Sequence, residues 1–474
     1  MGFMPSLRTE QLALELGDSS RHSGLLRLEF GAEVTEGIRP RILYALRVFA
    51  AVYGYRVSER DETCVSTIFY GDQRGASGET PHVWVPALYF ADLVQSRKFQ
   101  FTKRRYAGEN FFLFFGVDRQ SGNPDWLGEI FAWLSGDYER SVIERDAVGR
   151  IPFSHTVFAE QRISPRKPYA IMAMAWLQHE MTGPAGREFL PKAASPSTFA
   201  EHFVVCSHDV DFYFTSKWPV LTRLFKNLAI AVRPYGSWSF FAWNARQICA
   251  VLEGRRVGEY LPALLEASGK YDFQSTVFAV AESSHRRDPD YRLDDLATDL
   301  KHCLDQGFSL GLHGPYQSAF ENPSLGRESA LLEKAFGVEP SGVRQHWLRF
   351  AQHERFFEAV ADAGLTYDST LGFAETAGFR NGACFAFPPY DFKNERAYPF
   401  LEIPLALMDE SVETSARASG ENPETITEDI LEQSRRWGWG GIAADWHNPI
   451  EPIHGGKSLT KRRIGRSGST QTNF

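Results

Sequence analysis

The chain is poor in cysteine, and its cysteines form no pattern. Cys64, Cys206, Cys249, Cys303 and Cys384 are scattered through 474 residues, odd in number and without a Cys-x-x-Cys pair. That excludes a disulfide framework and a thiolate zinc site and fits a reducing compartment. No apolar run reaches the roughly 18 residues that would suggest a membrane-spanning helix. The opening stretch MGFMPSLRTE has no apolar core of signal-peptide length. The expected location is therefore the cytoplasm. Positive charge is in deficit, with 51 Lys and Arg against 59 Asp and Glu, a net charge of −8. This balance gives no electrostatic case for nucleic acid or an anionic membrane as a partner. The basic exception is the tail from Lys457 to Arg466. No internal repeat is present.

What the chain does have is enough length for about two to three domains, with 43% hydrophobic and 23% charged residues, the balance of an ordinary folded protein. The small, Pro- and Ser-rich stretch Pro191–Ser197 is the linker candidate. It divides an N-terminal mixed α/β domain, 1–195, from a second domain, 196–455, followed by a basic tail, 456–474, expected to be disordered. In the first part, Pro40 to Tyr53 reads as a helix with Gly54 as its stop. Val83–Val85 and Phe111–Phe115 read as strands. Trp126 to Leu134 reads as a helix with Trp126, Ile130 and Leu134 on one face. Asp146, Arg150 and Arg166 are expected to be solvated or structural. The second part alternates strands (Phe203–Ser207, Ser275–Val280, Ser309–Leu312, Gly342–His346, Ile403–Leu407) with helices such as Leu293–Gln306 and His353–Ala363. Such alternation predicts a mostly parallel sheet or barrel, with polar site residues at the carboxyl ends of the strands.

The residues at those ends carry the chemistry. Phe203-Val204-Val205 runs into Cys206-Ser207-His208-Asp209-Val210-Asp211. On an extended strand residues two apart point to the same side, so Asp209 and Asp211 converge. Two like charges that close need a metal, a proton or a cation between them. His313 ends the strand that begins at Ser309. Arg344 and His346 are two apart and share a face, so Arg344 can pair with a site carboxylate and His346 can ligate a metal or touch the substrate. Tyr367-Asp368-Ser369, Leu401-Glu402-Ile403-Pro404 and Asp445-Trp446-His447 follow. Imidazole with carboxylate suits zinc or another first-row divalent ion. Gly456-Lys457-Ser458 is not a P-loop, because the first glycine position of that motif is Glu451.

The order Asp-x-Asp, strand-His, Arg-x-His, Tyr-Asp-Ser, Glu-x-Pro and late His resembles the polysaccharide deacetylases of the NodB-homology superfamily over about residues 200–455. The resemblance implies a distorted (β/α) barrel that removes acyl groups from amino sugars with a bound divalent metal, most simply zinc. It implies Asp209 as general base, Asp211 and His313 as metal ligands, Arg344 as holder of the catalytic carboxylate and His447 as the acid that protonates the leaving amine. Trp347 falls where an aromatic wall of the acyl pocket is expected, and Asp368 and Glu402 fall among substrate-binding positions. The chain departs from the pattern in three places. Val210 separates two acids that are usually adjacent. Gln317 stands where a second histidine is usual. His346 stands where proline is usual. His346 is therefore the expected replacement ligand, giving Asp211, His313 and His346, with Gln317 as the fallback.

Two other readings compete. One is a catalytically inactive glycan-binding or scaffold protein on the same fold. The other is a phosphatase with Asp209 as covalent nucleophile and Asp211 as acid, for which a further acidic pair, Asp294-Asp295, is present but sits at an expected helix start. The expected partner is a carbohydrate substrate, an acylated amino sugar, with no nucleic acid and no integral membrane segment. The N-terminal domain is expected to shape the substrate groove.

Overall fold

The structure, a computed structural model, describes residues 24–182 and 203–447 apart from short stretches, of which 73–82 and 90–98 are the longest. The linker Pro191–Ser197 and the tail 456–474 lie outside the described residues. In the N-terminal region the strands are β1 (Gly24–Phe30), β2 (Tyr55–Ser58), β3 (Ser66–Tyr70), β4 (Val83–Val85), β5 (Thr102–Tyr106) and β6 (Glu109–Leu113). Next come β7 (Phe203–Asp209), β8 (Thr276–Ala279), β9 (Ser309–Gly314) and β10 (Gly342–Gln345). The last are β11 (Tyr367–Asp368), β12 (Tyr390–Asp391), β13 (Arg396–Ala397), β14 (Leu401–Glu402), β15 (Leu405–Met408) and β16 (Gly441–Asp445). The chain is mixed α/β. Its largest sheet has eight strands in the order β14-β11-β10-β9-β8-β7-β16-β15, compatible with the expected (β/α) barrel. Among the described residues no helix is long and apolar enough to cross a membrane.

The chain divides into two compact units, and the division does not follow chain order. The first unit comprises residues 1–203, 351–357 and 366–442, the second 204–350, 358–365 and 443–474. Residues 366–442 cluster with the N-terminal region.

In the first unit β2-β1-β3-β4 form a parallel sheet, with Leu26 of β1 beside Ser66 of β3 and Gly24 beside Tyr55 of β2. Parallel pairing needs a crossover, and the helix Arg39–Tyr53 supplies it between β1 and β2. Gly54 ends that helix at φ 71°, a left-handed conformation that only glycine adopts without strain. The run around Phe111 forms an antiparallel hairpin of β5 and β6, with Phe111 opposite Arg104. The helix Trp126–Ser135 is buried on every side, not on one face as its spacing suggested. Its last carbonyls are met from afar, because Asn381 donates to Trp133 O at 3.2 Å and Leu134 O at 3.0 Å. Arg380 and Glu139 form a buried two-point ion pair at 3.0 and 2.8 Å. Arg41 pairs with Glu395, and Tyr44 donates to Pro388 O. These contacts tie residues 366–442 to the N-terminal region. Asp146 pairs with Arg150 at 2.8 Å, and Arg166 with Glu421 at 2.8 Å, both structural roles.

In the second unit β7, β8, β9 and β10 are neighbours and parallel, with Asp209 beside Phe278 and Arg344 beside His313. β8, β9 and β10 are buried nearly throughout, as strands covered on both faces are. The helices Lys217–Ala231, Trp238–Leu252 and Tyr260–Tyr271 lie between β7 and β8. Leu293–Asp305 links β8 to β9, and Leu325–Phe336 links β9 to β10. Of the expected strand Ile403–Leu407, Leu405–Leu407 lie in β15, while Ile403 N still donates to Asp368 O of β11 at 2.9 Å and Pro404, without an N–H, separates β14 from β15.

Candidate metal centre

The alternation of β7 sorts its polar residues. Ser207 and Asp209 point to one side. His208 points to the other and is a satisfied core histidine, with Nδ1 3.2 Å from Trp446 O and Nε2 3.2 Å from Ser275 Oγ. On the first side Arg344 of β10 reaches across. Its Nη1 donates to Asp209 Oδ1 at 2.9 Å, Asp445 Oδ1 at 2.9 Å and Ser207 Oγ at 2.8 Å. The guanidinium also lies over the Phe278 ring, 4.5 Å from its centroid. All three charged groups are essentially inaccessible to water. Burial alone would push the Asp209 carboxyl up; the adjacent guanidinium, with His313 and His447, overcomes this and holds it below the usual carboxylate range.

β7 ends at Asp209, and Asp211 follows in the loop. The two carboxylates meet the same imidazole: Asp209 Oδ2 is 3.7 Å from His313 Nδ1, and Asp211 Oδ1 is 3.3 Å from His313 Nε2. His346 brings its Nε2 to 3.5 Å from the same Asp211 oxygen. Asp211, His313 and His346 thus each offer a ligand atom, all within 4.8 Å of one another. The close fit behind His313 depends on Gly314, where a Cβ would run into the Gln345 side chain. Gln345 in turn donates to Gly314 O at 3.0 Å and Pro315 O at 2.7 Å, which holds the strand end in place.

The protonation of His313 follows from its partners. Its Nδ1 lies 3.0 Å from Arg344 O, an atom that only accepts, so Nδ1 carries the hydrogen. In the neutral ring Nε2 is then a lone pair facing a carboxylate oxygen, and it is buried outside hydrogen-bond geometry. Two acceptors 3.3 Å apart require a proton or a cation. Without a cation, the ring takes the proton: burial disfavours the charged form, but Asp209 and Asp211 outweigh it and raise the His313 pKa. The donor set of one carboxylate and two imidazoles, one backed by a carbonyl, fits a divalent ion.

A second group, Asp209, Asp445 and His447, offers two carboxylates and one imidazole. There the Arg344 guanidinium already lies 2.9 Å from both carboxylates, so a cation would meet a like charge. The first group is the metal candidate.

His447 lies just beyond β16, its Nδ1 3.6 Å from Asp445 Oδ2 and its Nε2 3.8 Å from Asp211 Oδ2. Asp445 therefore faces His447 at ion-pair distance as well as pairing with Arg344. Two residues at the centre were missed from sequence. Asp445 was read as able to orient His447 only through a bend or a partner, and its pairing with Arg344 was not foreseen. Asp288, in the loop after β8, was not singled out: its Oδ1 is 3.8 Å from His346 Nδ1, and it accepts from the backbone N–H groups of Ser284, His285 and Tyr316. The only signal for Asp288 was its place after a strand end.

Trp347 is 43% exposed and donates to Arg287 O at 3.3 Å. It has φ 66° and Leu348 has φ 49°, two successive non-glycine residues in a left-handed conformation beside His346. Such strain, roughly 1–3 kcal/mol per residue, persists only where surroundings enforce it. Gln317 is half-buried. Asp368 and Glu402 belong to the first unit, opposite one another on β11 and β14, and both are wholly buried. Thr370 donates to Asp368, and Leu371 N donates to Glu402 Oε1 at 3.0 Å. Asp294 and Asp295 occupy the first turn of the helix Leu293–Asp305, where acidic residues serve the helix N-terminus. The five cysteines are free thiols, and burial pushes the Cys303 thiol up to about 12.

Comparison with protein-family models and with curated proteins finds no match to this chain.

Proposed function

We propose that this chain is a metal-dependent hydrolase that removes an acyl group, most simply acetyl, from the nitrogen of an amino sugar, as the resemblance of its motifs to the polysaccharide deacetylases implies. The observation that carries the reading is the convergence of Asp211, His313 and His346 beside a buried Asp209–Arg344 pair and a carboxylate-backed His447. A divalent ion on the first three residues, with zinc suited to the donors, would polarise the acyl carbonyl and lower the pKa of a water to about 7.

The chain's own residues supply the rest. Asp209, kept ionised and fixed by Arg344, accepts a proton from the attacking water as its oxygen bonds to the carbonyl carbon. His447, aimed by Asp445, donates a proton to the nitrogen as the carbon–nitrogen bond breaks. The products are a carboxylate and a free amine. Trp347 walls the acyl side. The free thiols suit a reducing compartment, so the substrate is a cytoplasmic one, a nucleotide- or lipid-linked amino sugar or a glycan intermediate.

Acetate release from N-acetylglucosamine derivatives by the zinc-loaded protein, abolished in Asp209→Asn, is the test. Glycan retention without acetate release would establish the inactive glycan-binding alternative instead. Absence of both would remove the carbohydrate reading.

A further inference from the structure

The segment between β7 and β8 reverses the charge of the rest of the chain. From Phe212 to Leu252 there are five basic residues, Lys217, Arg223, Lys226, Arg233 and Arg246, and not one Asp or Glu, in a protein whose net charge is −8. The same 41 residues hold ten Phe, Tyr and Trp. They fold mainly as two helices, Lys217–Ala231 and Trp238–Leu252.

The helices pack on each other through one apolar cluster, Val220, Leu221 and Leu224 against Ile248 and Val251. The opposite face of the first helix is exposed at 218, 222, 225 and 229, which the helical period places in one row. That row carries no charge. It carries Trp218, 79% exposed, and Phe225, 56% exposed. On the second helix Arg246 and Leu252 are exposed, Leu252 at 66%.

We infer that this helical hairpin is a docking surface for an anionic lipid bilayer. Large aromatic side chains in water are costly unless something covers them. Tryptophan and phenylalanine on one helix face, with basic residues nearby in sequence and no acid within either helix, are the composition of a helix that lies in the bilayer interface. Trp is favoured at that depth because its ring is apolar and its N–H polar. The cations add attraction to acidic headgroups, about fivefold in affinity for each one near the surface. An acidic protein would satisfy the cations and leave Trp218 and Phe225 in a polar setting. A second copy of the hairpin would bring like charges together. The inference stands independently of the hydrolase reading. It places the surface in the connection that begins directly after Asp211.

The test is co-sedimentation of the full-length protein with phosphatidylcholine vesicles, with and without phosphatidylglycerol. Binding to the phosphatidylglycerol vesicles, weakened by salt, is the expected result. The Trp218→Ser/Phe225→Ser double variant should lose about tenfold in vesicle affinity, with unchanged circular dichroism and metal content. Arg246→Glu, which leaves the apolar row intact, should lose about tenfold or more, having removed one attraction and added a repulsion. No binding to either vesicle, or equal binding by both variants, would overturn the inference. So would a concentration-dependent dimer abolished by the double variant, or binding to polyglutamate in place of vesicles.

Discussion

His313 carries its hydrogen on Nδ1, against the Arg344 carbonyl at 3.0 Å, and turns Nε2 to Asp211 Oδ1 at 3.3 Å. One residue, Arg344, thereby serves both halves of the centre. Its side chain holds Asp209 and Asp445, and its backbone fixes the tautomer that leaves His313 free to ligate.

The first expectation concerns metal. The purified protein should hold about one equivalent of zinc or a similar ion. Asp211→Ala, His313→Ala and His346→Ala should each lose it, whereas Gln317→Ala should keep it. Elemental analysis after dialysis reads the result. Retention of metal in His346→Ala with loss in Gln317→Ala would make Gln317 the third ligand.

His447 should be separable from metal binding. His447→Asn is expected to lower the deacetylation rate roughly 10²- to 10⁴-fold, the usual contribution of a positioned acid. Its metal content should be unchanged. Asp445→Asn should weaken the same step through the aim of His447.

Arg344 should matter to stability before it matters to rate. Arg344→Met leaves Asp209 and Asp445 buried without their cation. A loss of about 3–5 kcal/mol is expected from removing one partner of a buried pair. Denaturant unfolding should show the midpoint fall. Ser207→Ala, which removes the hydroxyl that accepts from Arg344 at 2.8 Å and donates to Ala444 O at 3.0 Å, should cost less, about 1–2 kcal/mol.

Asp125 supplies a pH dependence remote from the centre. Its side chain is wholly buried and accepts from Gly128 N, Tyr89 N and Tyr70 Oη. Burial pushes its pKa up from 3.8 to about 7. A raised folded-state pKa means the folded protein binds the proton more tightly than the unfolded chain. The resulting stability is fully present below pH 3.8 and is lost as pH rises to about 7. The span amounts to roughly 4 kcal/mol. Asp125→Asn should remove that slope between the two limits, whatever it does to overall stability.

The N-terminal region should be indispensable to folding. A chain beginning at residue 196 loses Glu139 under Arg380, the carbonyls of Trp133 and Leu134 under Asn381, and Phe131 against the Tyr390 ring at 4.9 Å. It should be insoluble or only partly folded. A soluble, fully active product would sink this expectation.

Much of the second unit was legible in the sequence. Buried parallel strands are short apolar runs between turn residues, and Thr276–Ala279 and Ser309–Gly314 announce themselves that way. Their polar ends are legible too, because a histidine, arginine or paired aspartate is unusual where such a run stops. Asp211, His313 and His346 were named from that placement, and the structure brings them within 4.8 Å of one another. The buried state of Asp368 and Glu402 was not legible, because a carboxylate at a strand end reads the same whether it faces solvent or a neighbouring hydroxyl.

By itself, then, the sequence determined the local matters: which runs form strands, where they stop, and which side chains stand at the stops. Those follow from propensity, periodicity and the i, i+2 rule, all of which act within a few residues. Only the tertiary structure decided which distant groups meet. Asp445 acquires Arg344 from 101 positions away, and Glu139 acquires Arg380 from 241. Such partners are chosen by strand order and packing, which no short window of sequence contains. The same long-range choice joins residues 366–442 to the N-terminal region and places Asp288 behind His346.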